Sequence, residues 1–284
     1  MFNRPKLTEH EGSDRVVIIH NHLFKNAGST IDWALKKNFN SSFIDHRQDD
    51  LMRQGADYLG PYLAKKARIK ALSTHHLVMP LPIIENTCLL MMTMFRHPIE
   101  RVASVYNFER KQRCNSTPGV VHARKLSIGD YIQWRLNPQV GATIRNFQAR
   151  RMLPPMKPNR EIINCSEIEE IEQRVQRMSM LGLVDRFDES MVLFEDVLKE
   201  YFPRIDLSYI EQNIGLERGL ALEDKLMKLE AEIGEDTYKV LIQKNQHDIK
   251  LYEFAMKEFQ NRIDNLEGFI EKLENFRVRC GRHA

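Results

Sequence analysis

The feature that most constrains this chain is a β-branched run that passes directly into a Gly/Ser/Thr loop. Residues 16–20 (Val-Val-Ile-Ile-His) have the composition of a strand buried on both faces, as in a parallel sheet. The loop of residues 24–30 (Phe-Lys-Asn-Ala-Gly-Ser-Thr) follows, and residues 31–37 after it have helical composition. A strand, a tight polar loop and a helix in this order can bind an anion, because the loop amides and the helix N-terminus present positive partial charge.

The side chains of this loop add to that preference. Lys25 supplies a full positive charge, and Ser29 and Thr30 supply hydroxyl donors. The loop is not a Walker A sequence, which requires its lysine directly after the last glycine, whereas Lys25 precedes Gly28. An ordinary Mg²⁺-dependent ATP or GTP enzyme is therefore disfavoured. Taken alone, the loop is equally consistent with a phosphate site and with a plain strand-to-helix turn.

A second candidate phosphate site follows the strongest strand prediction, residues 87–95. Arg96 stands at the carboxyl end of that strand, and Ser104 lies eight residues further on, in a helix predicted from Ile99 to about Arg110. Ligands of open α/β sheets bind at carboxyl strand ends, where an arginine fork and a helix hydroxyl can clamp a phosphate. The alternative is that Arg96 only caps the strand and Ser104 only fills the helix surface.

The remaining pattern predicts a single α/β domain over residues 15–284, preceded by a loose tail, residues 1–14. We expect a P-loop-like central parallel sheet flanked by helices, with a helical C-terminal part over about residues 218–278. Further strands are predicted within 69–78 and at 180–184, loop plus helix at 41–68, and a flexible basic loop at 111–126. Additional helices are predicted at 128–135, 141–152, 161–179 and 190–201, with a connector at 153–160.

Bulk composition excludes several classes of protein. The net charge is only +3, from 42 basic and 39 acidic residues, so the chain does not resemble a nucleic-acid binder. The N-terminus lacks the apolar core of a signal peptide, and no stretch reaches the length of a transmembrane span, so we expect a cytoplasmic protein. The four cysteines have no zinc spacing and are expected to be reduced, with Cys88 in the core.

One apolar stripe near the C-terminus allows two interpretations. Its members step by three, four and three residues, as on one face of a helix: Ile263, Leu266, Ile270 and Leu273. The stripe either packs on the domain or mediates a homodimer.

The two phosphate-binding motifs together resemble those of sulfotransferases that use 3′-phosphoadenosine 5′-phosphosulfate (PAPS). Residues 25–30 (Lys25, Asn26, Ala27, Gly28, Ser29, Thr30) look like that family's 5′-phosphosulfate loop, and Arg96 with Ser104 looks like its 3′-phosphate clamp. Weaker similarities to the carbohydrate branch, which includes heparan sulfate 2-O-sulfotransferase, lie at residues 146–150, 181–187 and 245–252. The loop departs from the family where Asn26-Ala27 replaces the commoner Thr-Gly or Thr-Ala, and where Phe24 replaces a frequent proline.

The resemblance implies transfer of a sulfuryl group from PAPS to an acceptor hydroxyl, expected on a carbohydrate, with adenosine 3′,5′-bisphosphate as product and no metal required. Lys25 would neutralise the leaving group. The family carries a histidine base in a comparable segment, which favours His76 as the base with His75 as its rival. His20 and His22 flank the loop and offer an alternative. Three arginines lie near the Asn-Phe-Gln segment at 146–148, and one of them could reach the 3′-phosphate of the donor or the acceptor: Arg145, Arg150 and Arg151.

Two other functional classes remain open. One is a kinase or NTPase with an atypical phosphate loop, which the position of Lys25 disfavours. The other is a non-catalytic binding protein that keeps the fold and uses its C-terminal helix for partners.

Overall fold

The computed structural model describes residues 15–114, 117–154, 163–210 and 220–281, so the predicted tail at 1–14 lies outside the described residues. Within them, five parallel strands form one sheet in the order β2-β3-β1-β4-β5. The strands are β1 (Arg15–Asn21), β2 (Phe43–Asp45), β3 (Ala71–Thr74), β4 (Thr87–Phe95) and β5 (Met180–Leu183). The predicted α/β fold with a central parallel sheet is therefore confirmed.

Strand β1 lies at the centre of the sheet, between β3 and β4. Val17, Ile18 and Ile19 have no exposed surface, because helices cover both faces of the sheet. The register places Asn21 opposite Thr74 on one side and opposite Thr93 on the other. The carboxyl ends of the three strands therefore lie at one edge of the sheet, where the two predicted phosphate motifs begin.

Helices make up most of the remaining described chain. In chain order they are α1 (Gly28–Phe39), α2 (Asp49–Met52), α3 (Ala56–Lys65), α4 (Pro98–Lys111), α5 (Pro118–Lys125), α6 (Ile128–Leu136), α7 (Phe147–Arg151), α8 (Cys165–Arg177), α9 (Phe187–Lys199), α10 (Leu222–Ile233), α11 (Glu235–Lys244), α12 (Gln246–Asp264) and α13 (Phe269–Arg279). None of these helices has the combination of length and apolarity that a bilayer crossing requires.

Two predictions about the middle of the chain are wrong. The expected flexible loop at 111–126 contains helix α5, which buries Ala123. Thr117 caps its N-terminus, where the threonine hydroxyl accepts from the Val120 amide. A threonine followed by proline is a helix-start signal that the basic composition of this segment obscured. The expected helix at 141–152 is confined to Phe147–Arg151, because Asn146 before it adopts the left-handed conformation with φ 44°.

Strand β2 was not predicted, because three residues are too few for an alternating pattern to be recognised.

The prediction for the C-terminal stripe is also corrected. Helices α12 and α13 are separate, divided at Gly268 with φ 66°, so the stripe does not lie on one helix. Leu273 is buried on the domain, where α13 packs against α9, whereas Ile270 is 66% exposed. The homodimer therefore remains a prediction. The four cysteines are reduced thiols, and Cys88 is buried as expected.

Candidate functional site

Three adjacent strands deliver polar side chains to one edge of the sheet. His22 follows the end of β1, His75 and His76 follow β3, and Arg96 follows β4. The His22 amide donates to the Thr74 carbonyl at 3.0 Å, so the pairing of β1 with β3 continues past the strand ends. Because β1 lies between β3 and β4, the loop at 24–30 that follows β1 lies between His75 and His76 on one side and Arg96 on the other.

The loop is fixed in an unusual backbone conformation. Lys25 and Ala27 have φ values of 67° and 60°, in the left-handed region that non-glycine residues rarely adopt. Asn26 between them is buried, and its amide donates to the Met94 carbonyl at 2.8 Å and to Oε1 of Gln148 at 2.6 Å. Asn26 thus ties the loop to β4 and α7, and its side chain is directed to the interior rather than to a ligand.

Gly28 is required by close packing beneath the loop. A Cβ added at Gly28 would lie 2.2 Å from Cδ2 and 2.4 Å from Nε2 of the His22 ring, far inside van der Waals contact. Helix α1 starts at this glycine, so its first amides have no carbonyl acceptors within the helix. Thr30 in the first turn is buried, whereas Ser29 is exposed. The loop therefore presents the Ser29 hydroxyl to the outside.

Lys25 is the cation of the loop. Its Nζ lies 4.5 Å from the centre of the Phe108 ring, a cation–π contact. Burial lowers the pKa of Lys25 to about 8, and the neighbouring charges of Arg96 and Lys111 act in the same direction. An anion beside Lys25 would favour the charged side chain and so raise this pKa.

A buried histidine–aspartate cluster supports the loop from below. Asp32 on α1 accepts from Nδ1 of His20 through Oδ1 and from Nδ1 of His22 through Oδ2, each at 2.8 Å. Nδ1 of His20 also lies 3.0 Å from the Ser73 hydroxyl, and Arg47 reaches Asp32 at 3.3 Å. Burial acts to raise the pKa of Asp32, but His20 and His22 together outweigh it and hold this pKa well below its usual range.

The same cluster is the one group among the described residues with metal-ligand spacing. The potential ligand atoms of His20, His22 and Asp32 lie within 4.8 Å of one another. Both histidine Nδ1 atoms already bond to the carboxylate, so a metal ion would have to displace these hydrogen bonds. Hydrogen bonding that orients the two rings is the simpler role of Asp32.

The two candidate bases differ in what their ring nitrogens contact. Nδ1 of His75 lies 2.8 Å from the His22 carbonyl, which can only accept, so Nδ1 carries the proton and Nε2 has the lone pair. His76 lies 3.3 Å from Arg151 through Nδ1 and 3.1 Å from Asp49 through Nε2, so both its nitrogens have partners. Burial lowers the pKa of each histidine to about 4, and both are neutral at pH 7.

Arg96 already has an anionic partner. Its Nε and Nη2 donate to the two carboxylate oxygens of Glu100 at 2.8 Å each, and its Nη1 donates to the Lys25 carbonyl at 3.1 Å. Lys225 on α10 also reaches Glu100 at 3.1 Å, and the two cations lower the pKa of this buried carboxylate to about 2, although burial opposes them. Ser104 is half-buried and lies one turn after Glu100, on the same face of α4.

Gln148 on α7 connects the two predicted phosphate motifs. Its Oε1 accepts from Asn26 and from the Arg96 amide at 3.0 Å, and its Nε2 donates to the Arg96 carbonyl at 2.8 Å. The side chain is completely buried. It therefore sets the position of the loop relative to the end of β4. Sequence reasoning singled out the segment 146–150 only as a similarity and assigned Gln148 no role.

Helix α7 is in turn held by α12 through reciprocal capping. Oδ1 of Asn245 accepts from the Asn146 amide at 3.1 Å, while Oδ1 of Asn146 accepts from the Asp248 amide at 3.2 Å. The Asp248 carboxylate, fully buried, accepts from the amides of Gln148 at 3.0 Å and Ala149 at 2.7 Å. Two segments almost a hundred residues apart, noted separately in the sequence, thus form one structural unit.

The predicted site residues divide into three groups. Arg96 contacts the loop directly, through its bond to the Lys25 carbonyl. His75 contacts the His22 carbonyl, just before the loop. His76 is nearby but bonded to other partners. Asn26 is structural, and two residues that the sequence left unassigned, Glu100 and Gln148, contact Arg96 directly. The spacing of Glu100 four residues after Arg96 is the signal that could have identified this ion pair.

The chain matches no family model. It is 30% identical over 250 residues to an uncharacterized protein of the archaeon Archaeoglobus fulgidus, a match that covers 84% of this chain and 96% of the archaeal protein. The match spans nearly all of that protein, so the two chains share a whole domain rather than one motif. This chain therefore belongs to the same protein family as the archaeal protein.

Proposed function

We propose that this protein is a PAPS-dependent sulfotransferase that transfers a sulfuryl group to a hydroxyl, on a carbohydrate acceptor. The observation that carries the proposal is the contact between the two anion-binding motifs, in which Nη1 of Arg96 donates to the Lys25 carbonyl at 3.1 Å. A donor with phosphates at both its 5′ and 3′ positions requires two such motifs side by side at carboxyl strand ends.

The loop suits the 5′ end of the donor. Lys25 and the first amides of α1 would neutralise the negative charge that develops on the 5′-phosphate as its bond to sulfur breaks. Because Gly28 has no Cβ, the loop can pack directly on the His22 ring, which would hold the first amides of α1 in place for the phosphate. Arg96 and Ser104 would hold the 3′-phosphate, and Arg96 would then exchange some of its bonds with Glu100 for bonds to the phosphate.

Between the two candidate bases, the contacts favour His75. Its Nδ1–H is held by the His22 carbonyl, which leaves the Nε2 lone pair to accept a proton from an acceptor hydroxyl. The hydroxyl oxygen would then attack sulfur, the bond from sulfur to the phosphate oxygen would break, and its electron pair would stay on the leaving phosphate beside Lys25. The lone pair of His76 is already directed at Arg151.

Transfer from radiolabelled PAPS to a panel of acceptors tests this activity. The panel would hold uronic-acid-containing polysaccharides, neutral saccharides and simple phenols, since the acceptor class is part of the proposal. We expect label on a saccharide with the unaltered protein and none with Lys25→Ala. A protein that binds adenosine 3′,5′-bisphosphate but labels nothing on the panel would be a binding protein on this fold. Mg²⁺-dependent turnover of ATP would instead favour a kinase or NTPase.

A further inference from the structure

A cationic cavity lies on the other side of α7 from the proposed donor site. It has a volume of about 230 Å³ and is lined by residues of the segment before α7, of α7 itself and of the α11–α12 junction. The lining residues are Ala142, Arg145, Asn146, Arg150, Gln243, Lys244, Gln246 and His247. Three of these eight described residues carry a fixed positive charge and none carries a negative one.

Helix geometry separates this cavity from the donor site. Asn146 and Arg150 are four residues apart and lie on one face of α7, whereas Gln148 and Arg151 lie on the opposite face. Gln148 contacts the end of β4 and Arg151 contacts His76. The two faces of one short helix therefore serve two different polar sites.

Several groups in the cavity are in positions that an anion would stabilise. Arg145 is only 5% exposed, and burial together with the nearby charge of Arg150 lowers its pKa. Nδ1 of His247 is buried and has no hydrogen-bond partner among the described residues, while the His247 amide donates to Asn146. Two guanidinium groups and a lysine, together with Nδ1 of His247 in the tautomer that carries its proton there, form a site complementary to an oxyanion.

We propose that this cavity binds the sulfate or phosphate monoester of a sugar. A volume of about 230 Å³ is below the roughly 300 Å³ at which pockets for drug-sized molecules begin, so it suits one oxyanion with at most one sugar ring. The amides of Gln243 and Gln246 on the lining provide hydrogen-bonding groups for sugar hydroxyls. This binding does not depend on sulfuryl transfer, because Lys25 and Arg96 are not part of the cavity.

Calorimetric titration of the full chain tests the proposal with three probes: N-acetylglucosamine 6-sulfate, N-acetylglucosamine 6-phosphate and uncharged N-acetylglucosamine. The expected result is one binding site for at least one ester and no measurable binding of the uncharged sugar. The preferred ester distinguishes a sulfate site from a phosphate site. Equal binding of the uncharged sugar, or binding of neither ester, would overturn the proposal.

Two variants that remove a positive charge from the cavity test whether the ester binds there. Arg150→Gln and Lys244→Gln should each weaken its binding at least fivefold, whereas Lys239→Gln, on the same helix α11 but outside the cavity lining, should not. Arg145 is left unaltered because its burial makes misfolding a risk. Lys25→Ala should abolish binding of adenosine 3′,5′-bisphosphate and leave ester binding intact. Ester binding that is lost in Lys25→Ala but kept in the two cavity variants would assign the ester to the loop instead and overturn the proposal.

Discussion

Glu100 holds both Nε and Nη2 of Arg96, at 2.8 Å each, in the position where a phosphate of the proposed donor would bind. The pair is almost buried, with side-chain exposures of 18% for Arg96 and 8% for Glu100. A planar guanidinium binds a carboxylate and a phosphate through the same fork. Glu100 and the 3′-phosphate are therefore competitors for Arg96, which gives the clamp a testable property.

Replacing Glu100 with Gln should strengthen the binding of adenosine 3′,5′-bisphosphate at least threefold. The substitution removes the competing negative charge near Arg96 and Lys225 but keeps the side-chain shape. Calorimetry on the two proteins measures the change. The gain should vanish in the Arg96→Ala, Glu100→Gln double variant. Unchanged or weaker binding by Glu100→Gln would mean that Arg96 has a structural role only.

Replacing Gly28 with Ala should destabilise the protein and damage the loop. The new methyl group would overlap the His22 ring, and overpacking of this kind costs about 1–3 kcal/mol. Chemical denaturation measures the free energy of unfolding. Gly141→Ala is the matched control, because a Cβ at Gly141 meets no atom within 4 Å. Equal effects of the two substitutions would contradict the packing of His22 beneath the loop.

Binding of adenosine 3′,5′-bisphosphate should weaken as the pH rises through about 8. The pKa of Lys25 is about 8, so the side chain is charged below that pH and neutral above it. In Lys25→Arg the charge persists at all these pH values, and the weakening near pH 8 should disappear. A pH profile that is the same in both proteins would show that Lys25 does not contact the anion.

Transfer activity should depend on His75 more than on His76. General-base catalysis contributes about 10²- to 10⁴-fold, so His75→Ala should lower kcat/KM by at least 100-fold, and His76→Ala by less than about tenfold. The pKa of His75 is about 4, so the base is unprotonated above that pH, and kcat/KM should form a plateau from about pH 5 up to the titration of Lys25. The reverse order of the two variants would assign the base to His76.

Replacing Asp248 with Asn should destabilise the protein by about 1.5–3 kcal/mol. The buried carboxylate accepts from backbone amides at the start of α7, and bonds of this charge-assisted kind carry that magnitude. Asp264→Asn, at the exposed end of the same helix, is the control. Because α7 carries Gln148, binding of adenosine 3′,5′-bisphosphate should weaken as well. A stable Asp248→Asn variant would show that the cap contributes little.

The sequence predicted the elements that repeat a pattern over enough residues. Strand β4 was predicted with its observed bounds, because a nine-residue run that is apolar except for Thr87 and Thr93 ends at a clear Arg-His-Pro signal. Strand β2 was missed because it has three residues, and α5 because the basic residues in it and before it suggested a solvated loop. The C-terminal stripe was assigned to one helix because periodicity continues across Gly268, where the backbone turns.

Within the candidate site, the residues that follow strand ends could be predicted and their partners could not. A carboxyl strand end marks Arg96 as a potential ligand group, but only tertiary structure shows that Glu100 and Gln148 bond to it. The same holds for His76, whose contact with Arg151 spans 75 positions of sequence. Hydrogen-bond partners distant in sequence leave no periodic pattern, so the preference for His75 required the fold.

The most direct test of the donor site is a calorimetric titration of the purified protein with adenosine 3′,5′-bisphosphate. We expect a single site per chain, with an affinity that falls at least 100-fold in Lys25→Ala and at least tenfold in Arg96→Ala. Lys70→Ala, an exposed lysine beside β3 and away from the carboxyl edge, should bind like the unaltered protein. Absence of binding, or binding that survives the loss of Lys25, would contradict the proposed donor site.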